Sequence, residues 1–336
     1  MIASIEAYQA TYNSTCPLES PVLRSYQYIV YPLQYSNILF IPLAILAGYC
    51  VLYKTPKAMQ PMKWVYFNLH LWISMQSVYI TLLLTPYVWL PGISMSCIGL
   101  LSSWGIDDII QGYLGCIIAI IPLSATVSLF ENRHQQIQNN QLRERRRLVR
   151  YPVLGFNYLY AIIFPYPIFF KPPNQQNVRI DFLKMVPCPY KDFFDLRFYT
   201  YSNDPQTKKY MFCSLMLALG SIMIQLIFYS ATCIHYLVLA KSSISLTSKL
   251  MNKSQRRIFL GILMQISIAY ALISPSMVYA GWSFFTGYYS QKLNNVVVLI
   301  ISSNGIVSTL VLLLSHRCYR DFLKSLMGCG HDANTT

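Results

Sequence analysis

Long runs without charged residues alternate with short charged segments along the whole chain. Seven such runs occupy residues 25–53, 64–106, 109–130, 151–170, 210–240, 258–291 and 293–316. A helix needs about 20 apolar residues to cross a hydrocarbon layer roughly 30 Å thick, and lipid offers its backbone no hydrogen-bond partners. Each run is long enough for one such helix. The pattern therefore predicts an all-α polytopic membrane protein, a bundle of seven transmembrane helices.

The second run is long enough for two helices, but Pro86-Tyr87-Val88-Trp89-Leu90-Pro91-Gly92 interrupts it. Because Pro and Gly disfavour a helix interior, we predict one helix and then an interfacial loop up to Asp107-Asp108, with eight spans as the alternative. The predicted helices cover about 29–53, 65–86, 109–130, 151–170, 210–240, 258–282 and 293–315, within a transmembrane domain of residues 29–316. Residues 1–28 form an extracellular segment and residues 317–336 a cytoplasmic tail.

Basic residues concentrate in alternate connecting segments, and this sets the predicted orientation. With the amino terminus outside, the inner segments 54–63, 131–150, 241–257 and 317–336 hold 17 of the 26 Lys and Arg residues but 4 of the 12 acidic residues. Short cytoplasmic loops are enriched in Lys and Arg. We therefore predict the amino terminus outside and the carboxyl terminus inside. The basic run at 143–147 then follows from topology and attraction to anionic lipid, so we expect no nucleic-acid partner.

Composition and motifs exclude several function classes. Charged residues make up 11% of the chain and hydrophobic residues 54%. This composition has too few charged side chains to cover the surface of a soluble protein. The five His residues lie far apart, and the chain has no Cys-x-x-Cys, glycine-rich phosphate loop or Gly-x-Ser-x-Gly sequence. The middles of the predicted helices carry no Asp, Glu, Lys or Arg, which ion-coupled carriers need. We expect no enzyme activity, no metal and no cofactor, and the lipid bilayer as the surroundings.

Three cysteines fall on the predicted outer side, Cys16, Cys97 and Cys188, where an oxidising environment favours disulfides. One helix from Cys97 to Arg133 would be about 54 Å long, too long for a bilayer, so Cys97 does not cap the outer tip of the third helix. This favours a Cys16–Cys188 disulfide. A Cys97–Cys188 bond is the second alternative, and no pairing is the third.

Two patterns indicate covalent modification. Asn13 begins the one glycosylation sequon on the predicted outer side. Cys318 and Cys329 lie in the inner tail near the membrane, where cysteines are candidates for palmitoylation.

Several short segments match one known family in order along the chain. The third predicted helix ends Ser128-Leu129-Phe130-Glu131-Asn132-Arg133-His134. The other matches are ESPVL at 19–23, KTPKAM at 54–59, MQI at 264–266 with Pro275, SSNGIVST at 302–309 and HRCYRDF at 316–322. Together they resemble the nematode serpentine receptors of class H, a family of chemosensory seven-transmembrane G-protein-coupled receptors. Two positions depart from the family pattern: Asn304 stands where His is usual, and Cys318 where Pro is usual.

The resemblance implies a plasma-membrane receptor, in the cilium of a sensory neuron, that binds an odorant or other small chemical cue between the outer halves of its helices. Binding would shift the population toward a state that admits a heterotrimeric G protein at the inner face. Glu131 and Arg133 are the implied coupling residues. The alternative for Arg133 is a simple charged end to the helix. Because Glu131 precedes Arg133 by two positions, their side chains should point in different directions.

The candidate ligand contacts lie in the outer halves of helices three, six and seven. They are Gln111, Tyr113, Tyr279, Trp282, Asn294 and Asn295. Ligand pockets are mainly apolar and aromatic with few polar anchors, as this set is. The alternative is that its Tyr and Trp residues belong to an interfacial aromatic belt.

Two other functions remain open from the sequence. A ligand-gated cation channel of the insect chemoreceptor type also has seven spans, but its amino terminus lies inside, which the charge distribution disfavours. A facilitative carrier of neutral solutes would show internal repeats with paired broken helices, and the two halves show no convincing similarity. Topology mapping tests the first alternative and solute flux the second.

Overall fold

The computed structural model describes residues 5–17, 20–137, 140–169, 173–202, 205–239 and 246–326. Within them, seven helices are long and apolar enough to cross a membrane, and we number them spans 1 to 7. They are Gln27–Tyr53, Met59–Leu84, Asp108–Gln136, Arg150–Phe169, Pro205–His235, Phe259–Thr286 and Gln291–Ser315. These bounds agree with the predicted helices to within a few residues at most ends. We call the end of the bundle that bears the amino terminus the outer end and the opposite end the inner end, following the predicted orientation. Span 3 ends at Gln136, six residues beyond its predicted inner end.

Several spans are parts of longer or composite helices. Span 2 combines a 3₁₀ turn (Lys57–Met62), an α-helix (Lys63–Val78) and a π-helical turn (Tyr79–Leu84). Span 4 has the inner part of its sequence in the helix Asn140–Ile163 and includes a short helix, Tyr166–Phe169. Spans 3, 5 and 6 belong to the longer helices Asp108–Ile137, Pro205–Leu239 and Leu246–Thr286. Shorter helices are the amino-terminal helix Ile5–Thr15, Leu100–Ser103, the loop helix Gln175–Met185, Asp192–Asp195 and the tail helix Arg317–Leu326.

The spans present apolar side chains outward and pack small or polar ones inward. Ile38, Ile224 and Val278 are each 70% exposed or more, as lipid-facing side chains should be. Inside, spans 2 and 7 approach closely at Gly305, where an added Cβ would lie 2.3 Å from Ser77 Oγ. Small residues at such crossings let two helix backbones pack directly in a membrane.

Residues 86–97, predicted as a loop, instead form a β-hairpin. Strand β1 (Pro86–Val88) pairs antiparallel with β2 (Ile93–Cys97), and β2 pairs antiparallel with β3 (Tyr199–Ser202). Strands of three to five residues are too short to display an alternating pattern, which is why the sequence did not indicate them. Tyr201 donates to the carbonyl oxygen of Asp108 at 3.0 Å, so the sheet lies against the outer end of span 3.

The sheet is the base of a compact outer cap, which we define as the described residues of 5–26 together with 86–97 and 175–202. Its centre is Trp89, fully buried and in contact with the rings of Tyr87, Phe182, Phe193 and Phe198 at centroid distances of 4.9 to 6.4 Å. The Trp89 indole N–H donates to Ser96 Oγ at 3.0 Å, which satisfies its one polar atom.

A disulfide attaches the amino-terminal helix to the rest of the cap. Cys16 is bonded to Cys188, with 5.6 Å between their Cα atoms, and Tyr12 donates to the carbonyl oxygen of Pro189 at 2.6 Å. Cys97, the other outer cysteine, is a buried free thiol 3.9 Å from the hydroxyl of Tyr201. The pairing is the one that the sequence favoured among its alternatives.

Candidate functional site

Arg133 lies at the inner end of span 3 with its side chain fully buried. Its Nη1 is 3.3 Å from Gln136 Oε1 and 3.9 Å from Met62 Sδ. One turn earlier, Phe130 meets Phe259 of span 6 edge to face, with 6.2 Å between ring centroids. The guanidinium is therefore enclosed near the ring contact between spans 3 and 6.

Glu131 points away from Arg133 and toward span 4. Its Oε2 is 2.6 Å from Arg150 Nε, and the two side chains are 5% and 17% exposed. Arg150 also donates to Gln135 on the next turn of span 3. The geometry makes Glu131 a partner of Arg150, and the two side chains of the predicted coupling pair diverge around the helix.

A second cluster closes the inner end of the bundle around His316, the residue after span 7. His316 Nε2 lies 3.3 Å from the hydroxyl of Tyr66 on span 2, and its Cε1 would be 3.3 Å from a Cβ added at Gly261 on span 6. Burial, with a smaller effect of the nearby Arg320 charge, lowers the pKa of His316 to about 4. The ring is therefore neutral at physiological pH.

The tail helix is fixed to span 1 beside this cluster. Tyr319 shares a hydrogen bond of 2.9 Å with Thr55 Oγ1, and Lys54 Nζ lies 4.6 Å from the centre of the Phe322 ring. The cluster thus joins spans 1, 2, 6 and 7 at the inner face.

The outer amides of span 7, predicted as ligand contacts, hold the cap. Asn295 donates to the carbonyl oxygens of Leu23 and Arg24, both at 2.9 Å. Asn294 donates to the carbonyl oxygen of Leu90 at 3.3 Å and accepts from the hydroxyl of Tyr279 at 2.8 Å. These groups are buried and already engaged, so they position the cap and the outer ends of spans 6 and 7.

The remaining predicted contacts are spread around the outer half. Gln111 is buried and donates to the carbonyl oxygen of Ile106 at 2.7 Å. Tyr113 donates to the carbonyl oxygen of Ile162, which places it between spans 3 and 4. Trp282 is 62% exposed on span 6. The six predicted residues do not come together in one pocket.

A cavity of about 310 Å³ lies beside the cap at the outer ends of spans 5 and 6. Its lining combines three phenylalanines with residues of the cap and one lysine: Pro91, Met185, Pro205, Lys209, Phe212, Phe284, Phe285 and Gly287. None of these residues was predicted. In the sequence, Lys209 ends a charged segment and the three phenylalanines lie in apolar runs. Neither pattern indicates that these four side chains line a common cavity.

The modification candidates differ in accessibility. Asn13 is exposed on the amino-terminal helix, and Cys318 is a half-buried free thiol at the start of the tail helix. Cys329 lies outside the described residues. Asn304, the departure in span 7, is buried and accepts a hydrogen bond of 3.1 Å from Ser308. Among the described residues, no group of three His, Cys, Asp or Glu side chains could hold a metal ion.

Sequence and fold comparisons agree with this architecture. Residues 24–329 match the family model described as serpentine type 7TM GPCR chemoreceptor Srh. The chain is 29% identical over 330 residues to serpentine receptor class H-72 of Caenorhabditis elegans, covering 96% of this chain and 93% of that relative. Its fold resembles the crystal structure of squid rhodopsin with a TM-score of 0.60 at 14% identity, covering 96% and 91% of the two chains.

Proposed function

This chain belongs to the serpentine type 7TM GPCR chemoreceptor family Srh, a family of receptors and not of enzymes, and from that premise we propose its mechanism. A small chemical cue binds in the outer half of the bundle, and the receptor then activates a heterotrimeric G protein at its inner face. In this proposal the amino terminus is extracellular and the receptor works at the plasma membrane, in the cilium of a sensory neuron.

The observation that carries the coupling proposal is the complete burial of Arg133 at the inner end of span 3. Enclosing a guanidinium costs desolvation free energy. An outward movement of the inner half of span 6 would separate Phe259 from Phe130 and open the space beside Arg133. The arginine could then donate to carbonyl or carboxylate oxygens of the G protein, so the open state gains contacts that the closed state lacks.

Glu131 takes a positioning role in this mechanism. Its ion pair with Arg150 holds span 4 against span 3 and keeps its carboxylate away from Arg133. The G protein therefore meets the arginine without competition from the neighbouring acid. The basic inner segments add a positive surface that favours anionic lipid and acidic partner surfaces.

The experiment needs no known agonist, because a substitution can destabilise the closed state. We would purify the receptor in lipid nanodiscs and measure nucleotide exchange on a panel of G-protein α subunits of different classes, with βγ. Phe259→Ala should raise basal exchange because it removes the ring contact with Phe130. Phe40→Ala, which removes an equally buried ring from span 1, is the matched control and should not.

Arg133→Gln, combined with Phe259→Ala, should return exchange to the level of G protein alone, a loss of roughly tenfold or more. Thermal unfolding of each variant separates this loss from misfolding. If the double variant exchanges nucleotide as fast as Phe259→Ala alone, Arg133 does not couple the receptor. If Phe259→Ala raises exchange on none of the α subunits, G-protein activation through span 6 is wrong.

A further inference from the structure

The cap leaves one side of the outer bundle open. On the span 7 side it is fastened through Asn295 and Asn294, whose amides bind carbonyl oxygens at Leu23, Arg24 and Leu90. A ligand entering there would have to displace buried hydrogen bonds, which is costly. On the side of spans 5 and 6, by contrast, the cap borders the cavity of about 310 Å³, a volume at the low end for small-molecule pockets.

The walls of this cavity are aromatic and its rim carries a positive charge. Phe212 of span 5 stacks with Phe284 and meets Phe285 edge to face, at centroid distances of 6.3 and 4.8 Å. Pro91 of the cap is buried, whereas Lys209 is exposed. Lys209 is the one charged side chain among the described residues that line the cavity. Such a site orients an amphiphile, with its apolar body against the rings and its head group at the lysine.

We propose that this cavity is the ligand site of the receptor and that it selects small carboxylic acids with a flat or short apolar body. The ammonium of Lys209 would pair with the carboxylate, and the rings of Phe212 and Phe284 would cover the body. The inference rests on the proposed function for its signalling consequence, but the binding itself does not depend on it.

The position of the cavity also gives binding a route to the inner face. An occupant would contact span 5 through Phe212, span 6 through Phe284, and the cap through Pro91 and Met185 at once. Span 6 continues without a break to Phe259, which contacts Phe130 at the inner end. A ligand that favours one position of the outer end of span 6 therefore biases the inner contact as well.

The test uses matched pairs of probes, each acid with its neutral amide: 2-naphthylacetate, 4-phenylbutyrate and octanoate. Binding to receptor in phosphatidylcholine nanodiscs is followed by ligand-observed NMR. We expect the acids to bind more tightly than their amides, and Lys209→Gln to weaken the acids roughly three- to tenfold while leaving the amides unchanged. Lys292→Gln, at an exposed lysine on the same side of the protein that does not line the cavity, is the control and should change neither.

A second variant tests the location. Met185 is 42% exposed at the cavity wall, so Met185→Trp should fold and fill the space, and it should abolish acid binding, whereas Met185→Leu should not. Acid binding that persists in Met185→Trp would place the site elsewhere and overturn the proposal. Equal binding of acids and amides, or no saturable binding of any acid up to about 1 mM, would also overturn it.

Nucleotide exchange on the same samples keeps this inference separate from the proposed function. Acids that bind in the cavity while Phe259→Ala raises exchange on none of the α subunits would leave the site standing and remove the mechanism. Neutral compounds that stimulate exchange regardless of Lys209 would leave the mechanism standing and remove the acid-selective site.

Discussion

The ion pair between Glu131 and Arg150 should contribute measurably to stability, because it is short and nearly enclosed. The Nε–Oε2 distance is 2.6 Å, and the Glu131 side chain is 5% exposed. Removing one partner of a buried pair costs about 3–5 kcal/mol, because the other charge stays buried alone. Arg150 is 17% exposed, so water screens part of the interaction, and we expect the low end, about 3 kcal/mol, for Glu131→Gln.

Thermal unfolding of purified receptor is the assay. With an entropy of unfolding of about 2.1 cal/mol/K per residue, or about 0.7 kcal/mol/K for 336 residues, a loss of about 3 kcal/mol corresponds to a Tm lower by roughly 4 °C. Arg150→Gln should cost at least as much, and the double variant should cost less than the sum of the two single changes. The control is the exposed pair Arg317–Asp321, where Asp321→Asn should change stability by under about 0.5 kcal/mol.

The same cycle distinguishes a positioning role from direct contact with the G protein. If Glu131 acts through Arg150, the double Gln variant should regain nucleotide exchange together with stability. If Glu131 touches the G protein, exchange stays low in the double variant although the fold recovers. Strict additivity of the two single changes would refute the ion-pair account itself.

Three further predictions concern the span 2–7 crossing, the inner cluster and the cap. Gly305→Ala should lower the free energy of unfolding by about 1–3 kcal/mol because its Cβ would meet Ser77. Adding Ser77→Gly to this variant should restore part of the Tm, and a Tm that does not recover would contradict the close crossing. Because the pKa of His316 is lowered in the folded protein, the folded state binds a proton less tightly than the unfolded state does. The free energy of unfolding should therefore be highest above pH 6.5 and fall by about 3 kcal/mol toward pH 4. His316→Gln should flatten this slope in pH-dependent melting, and an unchanged slope would assign it to another group. Cys16→Ser should lower the free energy of unfolding by about 2–4 kcal/mol and make the amino-terminal helix sensitive to protease, and reductant should then have no further effect. Protease resistance equal to that of wild type would mean that the disulfide to Cys188 is dispensable.

The seven spans could be predicted because membrane thickness imposes a length that charge-free runs display directly. The outer cap could not, since its strands are short and Trp89 is buried by rings from residues as distant as Phe198. Pairings such as Glu131 with Arg150 depend on how two spans pack, which helix periodicity alone does not determine. The ligand candidates were chosen for their residue type near the outer surface, yet Asn294 and Asn295 have their hydrogen bonds within the cap.

Pocket residues escaped prediction for a related physical reason. Phe212, Phe284 and Lys209 are ordinary in their own helices, and only the juxtaposition of spans 5 and 6 with the cap gives them a common cavity. Long-range proximity of this kind comes from tertiary packing, so the local sequence carries little signal for it.

The most direct test of the whole account is the orientation of the two termini. We would tag each end, express the chain in cultured cells, and compare antibody access before and after permeabilisation, with glycosidase treatment of wild type and Asn13→Gln alongside. We expect an accessible, glycosylated amino terminus and a tail detected only after permeabilisation, which would place Arg133 on the cytosolic side. An amino terminus inside the cell would put Arg133 beyond the reach of any G protein and contradict the mechanism.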